Sequence, residues 1–428
     1  MKLLKNITKS QFTYNSLVLM LGTVFAQAVP FLLSPILTRI YQPENFGDYS
    51  LFVSYFNVAV IIIHLRYELA IMKPRFISDA LRIIQGSIII GVLLTLIAYV
   101  SLFALQLSFD ALKLFEFTWL LPITAFLGGI YLLLSNWFTK NLNYKNVSFS
   151  KVFQSSSNSI VAIILGYFFF YSNGLIIGYI VGLIVAILFF SLNLNHRFYT
   201  IFSDFDFNKI KKQLNRYVDF PKHNTFSTFL NSVSVFIPLW YISYSFDNDT
   251  VGYFGLSTRI VAAPLMLISS SVSQVLYEKS TSLYNKGGDL HSFVKRLFFK
   301  MALIYAMPLV ILILFSEFLF GFVFGETWVQ AGVITKYICV GVIIQILVNP
   351  FTLIFAAVDQ LKIIMKWQMS YFVVCLFVIV INKMFFKGNL YSYLLLFSCF
   401  NVIMYMVYFW LILKVSKTKN TLLIAKKL

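Results

Sequence analysis

Apolar runs of about twenty residues, each long enough to cross a bilayer as one helix, alternate with short polar breaks along nearly the whole chain. In order, they predict spans near 14–37, 46–65, 83–105, 118–138, 152–171 and 174–194. A lysine-rich polar stretch, 195–224, then interrupts the rhythm. Six more spans are expected near 225–246, 252–276, 297–315, 333–356, 368–386 and 390–413. The expected fold class is an all-α integral membrane protein with about twelve transmembrane helices. The expected domains are a six-helix bundle over 1–194, a cytoplasmic basic linker over 195–224, and a second six-helix bundle with a basic tail over 225–428.

Composition agrees with the pattern. The chain is 59% hydrophobic and only 12% charged, against about 25% charged in an ordinary soluble domain. Its net charge of +18 raises the question of nucleic acid, and the distribution of that charge answers it. Twenty-eight of the 34 lysines and arginines fall in the termini and in alternate loops, on one predicted side of the membrane. Arg39, Lys113, Lys383 and Lys387 fall on the other side, and Arg259 and Lys336 lie within spans. This bias places both termini and the 195–224 stretch in the cytoplasm, against anionic lipid. No loop is long enough to form a folded nucleic-acid-binding domain. Cys339, Cys375 and Cys399 sit in apolar runs without metal-ligand spacing, so no metal and no disulfide framework is expected. Ala26-Gln27-Ala28 resembles a signal-peptidase site, but the apolar run continues past it, and the segment is expected to be retained.

The segment from Val251 to Tyr277 carries a single charge, Arg259. An arginine at that depth costs at least ~2.5 kcal/mol unless a partner offsets it, and it marks a functional site by default. Helical spacing aligns it with Ala263, Met266, Ser270, Ser273 and Gln274, opposite an apolar side bearing Ile260, Leu267 and Val275. Pro264 removes one helix hydrogen bond and is expected to bend the segment. The alternative is an arginine that snorkels to the nearer interface. Further polar stripes are Gln27, Ser34 and Thr38 on the first span; Ser50, Ser54, Asn57, His64 and Glu68 on the second; and Gln345, Asn349 and Thr352 on the tenth. Arg39 reads equally as an anion ligand or an interfacial anchor. Arg66 with Glu68 reads as an entry guard or a local polar cluster. Lys336, a turn inside its span, is expected to snorkel.

One internal echo joins the halves. An aromatic precedes Gly47 by six residues and a leucine follows it by four; the same holds at Gly252. Six spans per half make a duplication parallel, about an axis along the membrane normal.

The segment LTRIYQPENFGDYSLF over 37–52, LRYELAI over 65–71, Arg259 with Pro264, SQVLY over 273–277 and FGETWVQAG over 324–332 resemble bacterial polysaccharide-export flippases. These are the Wzx-type O-antigen and capsule translocases of the multidrug/oligosaccharidyl-lipid/polysaccharide superfamily. The resemblance implies two six-helix bundles around a central cavity, with alternating access in the bacterial inner membrane. It implies that an undecaprenyl-diphosphate-linked oligosaccharide moves from the cytoplasmic to the periplasmic leaflet. A polysaccharide polymerase and a chain-length regulator are the protein partners it suggests, and no cofactor is implied. Arginine suits a diphosphate because its planar fork donates two parallel hydrogen bonds. Arg259, Arg39 and Arg66 are therefore the expected diphosphate ligands. Gln27, Ser34, Asn57, Glu68, Ser270, Gln274, Gln345 and Asn349 are the expected glycan or gating positions.

No phosphate-binding glycine loop or paired extramembrane carboxylates are apparent, and the chain is not expected to be an enzyme. A cation-coupled drug antiporter of the same superfamily is the nearest alternative; it requires carboxylates within the spans, and the acidic residues can all be placed in loops or at span ends. A membrane polymerase or glycosyltransferase is the third reading, disfavoured by the short non-cytoplasmic loops.

Overall fold

The structure is a computed structural model, described for residues 2–108, 117–169, 172–358 and 360–417. Lys113 and the tail beyond Lys417 lie outside this range, as do the side chains of the N-terminal lysines and of Gln274. The described residues are helical with no strand. The chain forms two compact units: Met1–Tyr41 with Asp48–Ser232, and Gln42–Gly47 with Val233–Leu428.

The helices are α1 (Lys2–Ile40), α2 (Pro43–Ile63), α3 (Tyr67–Ala70), α4 (Ile77–Ser108), α5 (Leu121–Lys140), α6 (Tyr144–Phe168), α7 (Gly174–Leu192), α8 (His196–Ser203) and α9 (Phe207–Arg216). They continue with α10 (Phe226–Ser245), α11 (Asn248–Lys286), α12 (Leu290–Phe324), α13 (Val329–Val348), α14 (Leu353–Ala357), α15 (Leu361–Phe385) and α16 (Leu390–Ser416). Eleven of the described helical segments are long and apolar enough to cross a membrane. The remaining expected span corresponds to α6, 25 residues long, which contains the polar run Gln154-Ser-Ser-Ser-Asn-Ser159. The protein is a multi-pass membrane protein.

In the first unit α6 packs closely on both α1 and α7. Hydrophobicity does not drive helices together inside lipid, so close backbone approach and polar contacts do that work. Gly174, Gly178 and Gly182 repeat every fourth residue on α7. A Cβ on Gly178 or Gly182 would stand 2.6 Å from the carbonyl oxygens of Asn158 or Gln154 on α6. The glycine ridge thus lies directly on the polar run of α6. Tyr41 adds a hydrogen bond across this layer, its hydroxyl donating to the Ala162 carbonyl at 2.6 Å.

The 195–224 stretch is ordered against the first unit. Buried Arg82 on α4 binds Asp204, which joins α8 to α9, through side chain and carbonyl. Gln85 donates to the Phe202 carbonyl at 2.6 Å. Tyr67 donates to the Leu214 carbonyl at 3.0 Å. On α9, Ile210 and Gln213 face inward while Lys209, Lys211, Lys212 and Arg216 face outward.

In the second unit α13 is the central helix, packed by α11, α12 and α16. Aromatic stacking fills the core: Phe298 lies on Phe409 at 3.7 Å, and Trp367 on Tyr408 at 4.1 Å. A polar network crosses it. Asn401 accepts from the Tyr371 hydroxyl at 3.1 Å, and its amide reaches the Gly341 carbonyl and Gln345 Oε1, each at 3.3 Å. Such groups need one another where no water is available.

The two glycine turns of the internal echo meet within this unit. A Cβ on Gly47 would stand 2.4 Å from the Asn248 carbonyl oxygen, and one on Gly252 would stand 1.9 Å from that of Pro43. Asn248 lies four residues before Gly252, and Pro43 four before Gly47, so each turn meets the equivalent position of the other. The Asn248 amide also donates to the Glu44 carbonyl at 3.3 Å.

Candidate functional site

α11 runs unbroken through Pro264, from Asn248 to Lys286. Its apolar core face carries Val261, Leu265 and Leu276, all buried. Arg259 and Ser270 lie on the opposite side of the same helix, Arg259 half-buried and Ser270 exposed. At 100° per residue the arc from Arg259 to Ser270 is narrow, while Leu265 lies more than a quarter-turn away. The polar stripe therefore points away from the core of its own unit. No hydrogen bond or ion pair to the Arg259 guanidinium is present among the described residues. The Ser270 hydroxyl is bonded back to the Leu267 carbonyl at 3.0 Å, and Gln274 lies one turn further on, its side chain outside the described set.

Gln345 and Asn349 follow one another by a turn on α13 and its 3-10 extension. Gln345 is half-buried and tied into the Asn401 network. Asn349 is exposed. The structure separates the two roles: one holds the core together, the other is accessible.

In the first unit, Arg66 and Glu68 form a built cluster. α2 ends abruptly because Leu65 and Arg66 take positive φ values of 48° and 60°. Two consecutive non-glycine residues in the left-handed region store strain, a recurring mark of functional segments. The turn brings Arg66 Nη1 to 3.1 Å from Glu68 Oε1 and lets Arg66 Nε donate to Asn224 Oδ1 at 3.2 Å. Asn224 sits in a π-helical turn, Phe220–Thr225, another feature frequent at functional sites. Glu68 is buried; burial pushes its carboxyl up, while the charge of Arg66 pulls it down less strongly. Asn224 gave no signal in the sequence because its partner lies 158 residues away.

α1 carries the other predicted residues. Ser34 is buried and donates to the Phe31 carbonyl at 2.6 Å. Arg39 is exposed at the end of the helix. Gln27 is half-buried, and its Oε1 is enclosed without a hydrogen-bond partner among the described residues. One turn before it, Thr23 accepts from Lys151 Nζ at 3.1 Å. Lys151 was expected at a loop edge; α6 instead begins at Tyr144, which puts Lys151 about 10 Å inside the helix. It is a further cation within a helix, beside polar Thr23 and one turn from Gln27.

Asn57 and His64 are internally bonded. Asn57 donates to the Val53 carbonyl at 2.7 Å. His64 is buried, bonded to Ser87 Oγ at 3.1 Å and the Phe126 carbonyl at 3.2 Å, and stacked on the Phe126 ring. Lys336 differs from its expected snorkelling: it binds Glu317 at 2.7 Å. α12 extends seven residues beyond Glu317, to Phe324. The Glu317 carboxylate lies within the helix and is neutralised there.

Comparison with known proteins places this geometry. A family model described as "Polysaccharide biosynthesis protein" matches residues 36–333. The chain belongs to the polysaccharide biosynthesis protein family. The fold of this family member is shared with solved transporter structures. A lipid II flippase MurJ in an inward closed conformation matches with a TM-score of 0.69 at 13% identity, over 95% of this chain and 88% of that one. An inward-facing multidrug resistance MATE family transporter of the MOP superfamily matches with a TM-score of 0.68 at 13% identity, over 93% and 96%. An outward-facing MATE structure matches at 0.60 with 14% identity, over 96% and 97%. No curated protein is a significant match. The polysaccharide biosynthesis protein thus shares its fold with a lipid II flippase and with MATE transporters.

Proposed function

We propose that the protein is a flippase for undecaprenyl-diphosphate-linked oligosaccharide units, moving them from the cytoplasmic to the periplasmic leaflet of the bacterial inner membrane. The observation that carries this reading is Arg259, a half-buried guanidinium within a membrane helix, on a polar stripe turned away from its unit's core and unpaired among the described residues. Such a group is costly in lipid and attracts an anion. A diphosphate supplies that anion and matches the guanidinium fork. Ser270, Gln274 and Asn349 of the same unit provide hydroxyl and amide partners suited to a glycan. The first unit has cations of its own, Lys151, Arg66 and Arg39, and the amide of Gln27. Ser34 and Asn57 act as packing positions, through their own helix bonds, and Gln345 through the Asn401 network.

The family match supports a role in polysaccharide biosynthesis, and translocation gives that role a mechanism without an enzyme site. The site binds the diphosphate, and alternating exposure of the site to the two membrane faces carries it across. Glu317 and Glu68 are both paired with cations, which leaves them poorly suited to a cationic drug. The test is the lipid that accumulates when the gene is deleted. Undecaprenyl-linked single units facing the cytoplasm support the reading. Periplasmic, unpolymerised units would make the protein a polymerase instead.

A further inference from the structure

Away from these residues, the start of α12 forms an open groove of about 540 Å³, lined by Ser292, Lys295, Arg296, Phe299, Lys300 and Leu303. At 100° per residue the six fall within one arc of roughly 140°, and they span roughly 16 Å along the axis. The order along that axis is chemical. Ser292 and the cations Lys295 and Arg296 come first; Lys300 overlaps the transition; Phe299 and Leu303 follow, 60% and 77% exposed. Beyond them the same face continues apolar and exposed through Met307, Leu314 and Phe318. None of the three cations has an ion pair or hydrogen bond among the described residues, and no carboxylate lines the groove.

We infer that this groove binds an anionic phospholipid of the cytoplasmic leaflet. Three cations and a hydroxyl at one end complement a phosphodiester headgroup. A continuous exposed apolar face complements its acyl chains. Basic clusters next to a membrane helix are a readable form of lipid recognition, and a zwitterionic lipid would leave the three charges uncompensated. The site is separate from Arg259, and it stands whatever the transported lipid proves to be.

The experiment uses the full chain purified in neutral detergent, with native mass spectrometry of bound phosphatidylglycerol against phosphatidylcholine. Wild type should retain phosphatidylglycerol preferentially. The combined variant Lys295→Gln, Arg296→Gln, Lys300→Gln should weaken that binding on the order of a hundredfold, since each basic residue near an anionic lipid contributes roughly fivefold. A matched variant on α9 (Lys209→Gln, Lys211→Gln, Lys212→Gln) should keep most of it. Equal binding of the two lipids by wild type would overturn the inference, as would equal loss in the two variants, which signals diffuse charge. Preferential displacement by undecaprenyl diphosphate, with excess phosphatidylglycerol ineffective, would replace the phospholipid with the transported lipid. Should the triple variant misfold, Lys300→Gln alone, at an unchanged melting temperature, carries the same prediction at roughly fivefold.

Discussion

Glu68 sets burial against ion pairing within one side chain. Burial lifts its carboxyl above the ordinary value although Arg66 stands 3.1 Å away. The folded state therefore holds the Glu68 proton more tightly than the unfolded chain does. The stability that Glu68 contributes is present in acid and is lost as pH rises through the raised folded pKa. At neutral pH, Glu68→Gln should melt no lower than wild type, and the two melting curves should converge as pH falls through the carboxylate range. A variant that melts lower at neutral pH would put the ion pair ahead of burial. Arg66 was visible in the sequence as a cation near a span end. The left-handed turn that aims it at Asn224 was not, because neither Leu65 nor Arg66 is a residue type that favours that conformation.

At the scale of elements, the paired glycine turns are the most demanding contact. Gly252→Ala would place a methyl 1.9 Å from a backbone oxygen, and Gly47→Ala one at 2.4 Å. Backbone cannot move aside as a flexible side chain can, so each should cost about 1–3 kcal/mol by overpacking. Thermal unfolding in detergent should show both losses, while Gly321→Ala, whose nearest neighbour is the Val329 methyl at 3.0 Å, is tolerated. The echo between these turns was legible in the sequence; that they touch was not. Hydropathy located the spans well, yet it reports membrane depth and not helix length. α11 and α12 run 39 and 35 residues, past the apolar runs, because helix-forming polar residues continue them. The same extension carries Lys151 and Glu317 into helices. The anchors of the 195–224 stretch, Arg82 and Gln85, were not legible because they lie over a hundred residues earlier.

For the whole molecule, the lysine and arginine bias predicts a topology with both termini in the cytoplasm. Reporter fusions after Asn173 and Asn248 should report periplasm, and fusions after Lys212 cytoplasm; a cytoplasmic signal at either of the first two sites would reverse the assignment. The eleven helices long and apolar enough to cross a membrane were legible from pattern, and the family from its motifs. Of the proposed site, Arg259 stood out in the sequence as a lone charge, whereas α6 starts eight residues before the expected span and takes in Lys151. The central claim is that this fold carries a diphosphate-linked glycan across the membrane on Arg259. Its most direct measurement reconstitutes the purified chain into liposomes with an undecaprenyl-diphosphate-linked oligosaccharide and follows access of an external glycosidase to the glycan. Wild type should expose lumenal substrate over time. Arg259→Ala, equally folded and inserted, should not, having lost about 1.5–3 kcal/mol of charge-assisted hydrogen bonding. Arg259→Lys should retain part of the rate, since it keeps the charge without the fork. No exposure above protein-free liposomes, or an Arg259→Ala rate equal to wild type, would contradict the account.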